Sequence, residues 1–178
     1  MKEISKLIFE LGMLKRVKRS GWWIAAVKDP ESVAEHSFRV AAIAYILAKL
    51  EKENAEKICS AAVFHDCLET RLTDVNKIMA RYIDTKEAKE RITKDQMANL
   101  PIQIDFVLTE KEKLILKDAD LLEMFFQAKE YVEIGYKECA DWINESEKRL
   151  TTKSAKEILK EMKNMNSCEW WKGLKKLE

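Results

Sequence analysis

Residues 32–51 read SVAEHSFRVAAIAYILAKLE, and this stretch decides the fold. Ser32 followed three residues later by Glu35 is a capping box. The serine hydroxyl accepts from the Glu35 amide while the glutamate carboxylate accepts from the serine amide. Behind that start, Val33, His36, Val40, Ile43 and Leu47 recur at the three- and four-residue steps of one helical face. The helix is expected to run to about Glu51, with a histidine facing inward near its beginning.

The same period repeats outward from this helix. Upstream, Ile4, Leu7, Ile8, Leu11 and Leu14 form a helical stripe that ends in Lys15-Arg16-Val17-Lys18-Arg19. Ser20-Gly21-Trp22-Trp23 and a loop to Asp29-Pro30 follow. Downstream, a helix is expected from about Asn54 to Thr70, with Ile58, Ala62, His65, Asp66 and Glu69 close together on the wheel. Asp74 is placed to cap a further turn carrying Val75, Ile78 and Met79. Residues 84–99 are charged and read as an exposed helix. Thr109 and Glu112 make a second capping box, opening a long helix through Leu116, Asp120, Met124, Phe125, Ala128 and Tyr131. The remainder, about 137–177, reads as two or three amphipathic helices with Trp142, Ile158, Leu159, Met162 and Trp171 in the core.

Composition agrees with an all-α fold. Four glycines and two prolines in 178 residues are too few for a sheet built on tight hairpins. The length suits one domain, with a hydrophobic fraction of 47% to bury. The expectation is a single compact helical bundle over residues 1–178, its core helices at about 30–130 and its C-terminal helices at about 137–177. Thirty-two basic and 31 acidic residues nearly cancel, so no global charge draws the chain to nucleic acid or a membrane surface, and an anionic ligand must be met by a local site. No run approaches 18 apolar residues, and the N-terminal segment lacks the form of a signal peptide. Cys59, Cys67, Cys139 and Cys168 show no C-x-x-C spacing and read as reduced, small hydrophobes in a cytoplasmic protein.

The chain has only two histidines, both on inward faces, and one is followed at once by aspartate. His36 starts one helix and His65-Asp66 ends the next, so an antiparallel pair with a short connection brings them together. Imidazole nitrogens and carboxylate oxygens are the donors a divalent transition metal takes, and a catalytic ion keeps positions open. A fourth donor is expected from Asp120, flanked on its face by Leu116 and Met124; an unpaired buried carboxylate there would be costly. Capping, or pairing with Lys117, is the alternative for Asp120. Mn, Co, Fe, Ni, Zn or Cu all suit such a set, with Mg less favoured.

His36, His65-Asp66 and Asp120, each on a predicted helix, resemble the signature of the HD-domain metal-dependent phosphohydrolases. Leu14 to Trp22, Pro30 to Ser37, His65-Asp66-Cys67-Leu68-Glu69 with Asp74, and Leu116 to Asp120 are similar to the small HD-domain 5′-deoxynucleotidases. The resemblance spans about residues 5–130 and is most specific in the first 75. It implies a homodimer that removes the 5′-phosphate of nucleoside monophosphates, by attack of a metal-activated water. It further implies that Arg19 grips the phosphate, Trp22 lies against the sugar, Glu69 works as acid or base, and Asp74 orients substrate or water. A guanidinium fork suits phosphate, and a glutamate beside a metal can exchange a proton. Plainer readings stand beside these: a solvated basic patch for Arg19, core for Trp22, an exposed helix glutamate for Glu69 and an N-cap for Asp74. The family often has Gly-Asp where Thr73-Asp74 stands, and prolines where Val75-Asn76-Lys77 follows; Trp23 is a second tryptophan. These departures touch the substrate loop rather than the metal site. Other phosphorylated substrates (a cyclic nucleotide, a nucleoside triphosphate or a metabolite) and a non-catalytic nucleotide sensor are the competing functions.

Overall fold

The capping box at Ser32 forms as the sequence requires. The Glu35 amide donates to Ser32 Oγ at 3.2 Å, and the Ser32 amide donates to the Glu35 carboxylate at 2.6 Å. The computed structural model describes residues 1–144 and 146–174. In chain order the helices are α1 (Lys2–Leu11), α2 (Gly21–Ile24), α3 (Val33–Glu51), α4 (Ala55–Phe64), α5 (Glu69–Leu72), α6 (Lys86–Met97), α7 (Glu110–Glu133), α8 (Ala140–Asn144), α9 (Ser146–Arg149) and α10 (Lys153–Asn164). Among the described residues there is no strand, and the chain is all-α. No helix among them is long and apolar enough to cross a membrane.

Helix α3 is the centre of the fold, packed against α4 on one side and α7 on the other. Val40, Ala44 and Leu47 of α3, Ile58 and Ala62 of α4, and Ile115, Leu122 and Phe125 of α7 are essentially fully buried and form one cluster. Burial of a large aliphatic or aromatic side chain contributes roughly 1.5–3 kcal/mol, so this seam dominates the stability of the region carrying the site. Val33 instead meets Leu14 and Val17 in a smaller cluster that seats the N-terminal segment.

Several boundaries differ from the periodic reading. Helix α1 stops at Leu11, and Leu14 is carried by a tighter 3-10 turn over Gly12–Lys15; Ile8 is 63% exposed, off the buried stripe. The helix expected to reach Thr70 ends at Phe64. There the His65 ring takes the Ala62 carbonyl through Nδ1 at 2.6 Å, and the backbone continues in three-residue turn bonds such as Glu69 N–H to Asp66 O. Asp74 does not cap the next turn; Asn76 does, accepting from the amides of Ile78 and Met79. The charged 84–99 segment contains the expected helix, α6.

In the C-terminal part, Leu159 and Met162 are buried and Trp142 and Ile158 partly so. Trp171 is not core: it is 44% exposed, on a short 3-10 turn after α10. The last part of the helical region expected over about 137–177, residues 175–177, lies outside the described residues. What anchors α10 is Asp118, fully buried on α7, whose carboxylate accepts from the Thr151 and Thr152 amides and the Thr152 hydroxyl at 2.6–3.1 Å. The four cysteines are all free thiols.

Candidate metal centre and phosphate site

A short antiparallel bridge brings the basic segment to the start of α3. Lys18 pairs with Ser32, the Arg19 amide donates to Glu31 O at 3.0 Å, and the Val33 amide donates to Val17 O at 2.8 Å. The loop between is thereby closed over the end of α3 that carries His36. Asp74 holds it from the other side, accepting from the Ser20 amide at 2.6 Å, the Ser20 hydroxyl at 2.8 Å and Arg19 Nη1 at 3.3 Å.

Four expected metal donors converge beneath Arg19. His36 Nε2 lies 3.2 Å from Asp120 Oδ1 and 3.7 Å from Asp66 Oδ2, and His65 Nε2 lies 3.2 Å from Asp66 Oδ2. Donor atoms of His36, His65 and Asp120 all fall within 4.8 Å of one another. Nε2 of both histidines is buried and has no hydrogen-bond partner. Two orphaned imidazole nitrogens facing two carboxylates are a donor set that fits a divalent transition metal. Asp120 does not pair with Lys117; its partner is His36.

The electrostatics match a site organised around positive charge. Burial alone would lower the His36 imidazole, but the Asp120 and Glu123 carboxylates facing its two ring nitrogens outweigh it and push it up to about 10. Burial likewise opposes ionisation of Asp66, yet the two histidines and Arg19 hold its carboxyl down at about 2. Glu69 behaves oppositely. Burial and the neighbouring Asp66 and Asp74 charges raise it to about 8, and its Oε2 is buried without a partner. Because α4 ends early, Glu69 opens α5 rather than sharing a helix with Asp66. Arg19 sits against Asp74 and Asp66, the latter at 3.9 Å, and these charges keep its guanidinium firmly protonated despite burial.

Trp22 is 2% exposed and packed edge-on to Tyr131 and tilted against Trp142, with its Nε1–H donating to Glu31 at 3.0 Å. It is thus a core residue that also lines a cavity of about 520 Å³ with Arg19, Asp74, Asp120, Trp142 and Arg149. Two carboxylates, Glu123 fully buried and Glu31 half-buried, escaped the sequence reading. Glu123 Oε2 lies 2.5 Å from His36 Nδ1, and Glu31 is pushed up to about 7 by burial and by Glu123. Glu123 lies three residues after Asp120, on the same face of α7, and that spacing was the available signal. Glu31 precedes the cap of α3 in a loop and offered none.

Comparison with known proteins agrees with this geometry. Residues 11–163 match the family model described as an HD domain. The chain is 31% identical over 148 residues to the 5′-deoxynucleotidase HDDC2 of Danio rerio, covering 75% of this chain and 70% of the relative. It is 30% identical over 138 residues to the Homo sapiens protein of that name, covering 71% and 67%. A 5′-deoxynucleotidase of Citrobacter koseri is 25% identical over 174 residues, covering 86% of each chain. Among solved structures, one from a structural-genomics programme superposes with a TM-score of 0.85 at 36% identity, covering 96% of this chain and 99% of the other. The product of an Archaeoglobus fulgidus coding region superposes at 0.74 with 33% identity, covering 96% and 100%. With two imidazoles and two carboxylates gathered on an all-helical frame and a family model matched over most of its length, the chain belongs to the HD-domain family.

Proposed function

We propose that this protein removes the 5′-phosphate from deoxyribonucleoside monophosphates. Family membership and similarity to several 5′-deoxynucleotidases make it an HD-type phosphohydrolase. The observation that carries the finer reading is the convergence of two unpartnered histidine nitrogens, Asp66 and Asp120 beside Arg19 and an unpartnered Glu69. His36, His65, Asp66 and Asp120 would hold the ion. Bound there, a divalent transition metal supplies Lewis acidity, making a water more acidic and drawing charge from phosphoryl oxygens.

The chain's own residues do the rest. Arg19 presents guanidinium N–H groups to the phosphate oxygens, held in place by Asp74 from the adjoining loop. Asp74 thus serves the substrate through Arg19 and Ser20. Water oxygen forms the new bond to phosphorus as the bond to the 5′-oxygen breaks; the water gives up one proton and the 5′-oxygen takes one. Glu69, whose buried Oε2 has no partner beside the donor cluster, is the group proposed to carry that proton, taking it from the water and returning it to the 5′-oxygen. Along the cavity wall Trp142 offers aromatic surface to the nucleoside, backed by the nearly fully buried Trp22, which reaches the lining on the side assigned to the sugar. A homodimer, which rests on the resemblance, and a cytoplasmic location, which rests on the cysteine pattern, are part of the same reading. The metal is left to supply in the cell, since all the candidates suit this donor set.

The deciding experiment measures phosphate release from dNMPs, NMPs, a cyclic nucleotide and a dNTP. Metal-stripped protein is supplied with each divalent ion in turn. Release from dNMPs that requires added metal is expected. His65→Ala should lose metal and activity together, while Glu69→Gln should keep metal and lose kcat by about 10²-fold or more. Metal-loaded protein silent on every dNMP would overturn the assignment.

A further inference from the structure

The two histidines of the centre are prepared in different ways. His65 turns Nδ1 to the Ala62 carbonyl of its own helix end, so its ring is set locally. His36 turns Nδ1 to Glu123, which comes from α7, 87 positions away in the chain. We propose that Glu123, strapped by Arg39, is a positioning residue that fixes the ring of His36 and thereby sets the affinity of the site for its metal. The proposal rests on the metal-site reading above and goes beyond it to residues that touch neither ion nor substrate.

The geometry is specific. Glu123 is fully buried, and both its oxygens are engaged: Oε2 with His36 Nδ1 and Oε1 with Arg39 Nε at 2.9 Å. A carboxylate paired with a guanidinium can only accept, so in the neutral ring, the form that binds a metal, the proton must lie on Nδ1. The lone pair is then left on Nε2, the nitrogen that faces Asp66 and Asp120 without a partner. Partners of this kind are what orient a metal-binding imidazole and raise its basicity.

Arg39 explains why Glu123 stays in place. It stands three residues after His36 on α3 and spreads its guanidinium over successive turns of α7. Besides Glu123 it donates to Gln127 at 2.7 Å and to Glu130 at 2.7 Å. Three acceptors on one helix face are met by one planar fork, an arrangement a lysine ammonium cannot reproduce. The packing of α3 on α7 is thus wired to the ring of His36 through a single guanidinium outside the cavity lining, whose side chain is 30% exposed. No lining residue of the substrate cavity takes part.

The test is a metal titration of purified full-length protein by competition with a chelator, with no substrate present. Glu123→Gln, Arg39→Lys and Glu130→Gln are compared with the parent and with His65→Ala, and melting of the metal-free proteins checks folding. Glu123→Gln is expected to weaken metal binding by about 10–100-fold. Arg39→Lys, which keeps the charge and loses the fork, should weaken it several-fold, and Glu130→Gln less. With excess metal, KM for nucleotide should stay near the parent value, since none of these groups reaches the substrate. Should Glu123→Gln fail to fold, Arg39→Lys decides. Metal affinity within twofold of the parent in the folded variants would overturn the proposal while leaving nucleotide hydrolysis intact. Silence in the nucleotide panel would remove the substrate assignment while leaving these affinities measurable.

Discussion

Thr73 adopts φ 63° and ψ 175°, a backbone region open to glycine and strained for a β-branched residue. Its position explains why the strain is tolerated. The next residue is Asp74, whose carboxylate must turn back to meet Ser20 and Arg19. The glycine common at this position in the resembling family fits the same geometry without a side-chain penalty. Replacing Thr73 by Gly should therefore stabilise the protein by about 1 kcal/mol, the relief of strain being partly offset by the greater freedom of glycine when unfolded. For a chain of this size, that is a rise in Tm of roughly 2–4 °C. A Tm that stays put or falls would show that the strain is relaxed elsewhere. The histidines, Asp66 and Asp120 could be picked out at this scale because their residue types are rare on inward faces. The role of Glu123 could not, because a glutamate three places from an aspartate on a long helix reads equally well as a solvated pair.

Among the elements, α5 depends most on a single side chain. Glu10 of α1 accepts from Arg71 Nε at 2.7 Å and Nη2 at 2.8 Å, from Thr70 Oγ1 at 2.9 Å and from Gln96 of α6 at 2.8 Å. One carboxylate thus ties α1 and α6 to the short helix that begins with Glu69. The Arg71 bonds foremost, with help from Gln96 and Thr70, hold Glu10 down at about 2. A carboxyl lowered on folding adds stability that is fully present above its unfolded pKa, near 4.3, and is lost as pH falls toward 2. Denaturation between pH 4.5 and 2 should accordingly be shallower in Glu10→Gln than in the parent. Parallel acid-unfolding curves would remove Glu10 as the strap. Capping boxes announced α3 and α7 because each is written within four consecutive residues. The end of α4 was not announced, since it depends on where the His65 ring finds an acceptor.

At the scale of the whole molecule, the candidate donors come from three places in the chain: the start of α3, the turns after α4 and the middle of α7. An ion bound by all of them cross-links the central helices, and an unfolded chain offers no such cage. Binding to the folded state alone contributes RT ln(1 + [L]/Kd), about 2.7 kcal/mol at a hundredfold excess over Kd. Metal at that level should raise Tm by roughly 5–11 °C, and a chelator should return it. In His65→Ala the metal-dependent part should shrink sharply. Equal melting with and without metal in the parent protein would argue that the four residues do not form one centre.

The sequence by itself determined the helical class, the two capped helices and the residue types available to a metal, because periodicity, capping and composition act within a few residues. It also carried the family resemblance, since His36, His65-Asp66 and Asp120 stand at recognisable spacings. Tertiary structure alone decided that Asp74 serves Ser20 and Arg19 instead of a helix cap, that Asp118 anchors α10, that Trp171 lies outside the core, and that Glu123 and Arg39 stand behind His36. Each of these is a contact between segments more than 30 residues apart, or a burial set by packing. Local pattern cannot specify which of many charged side chains will meet.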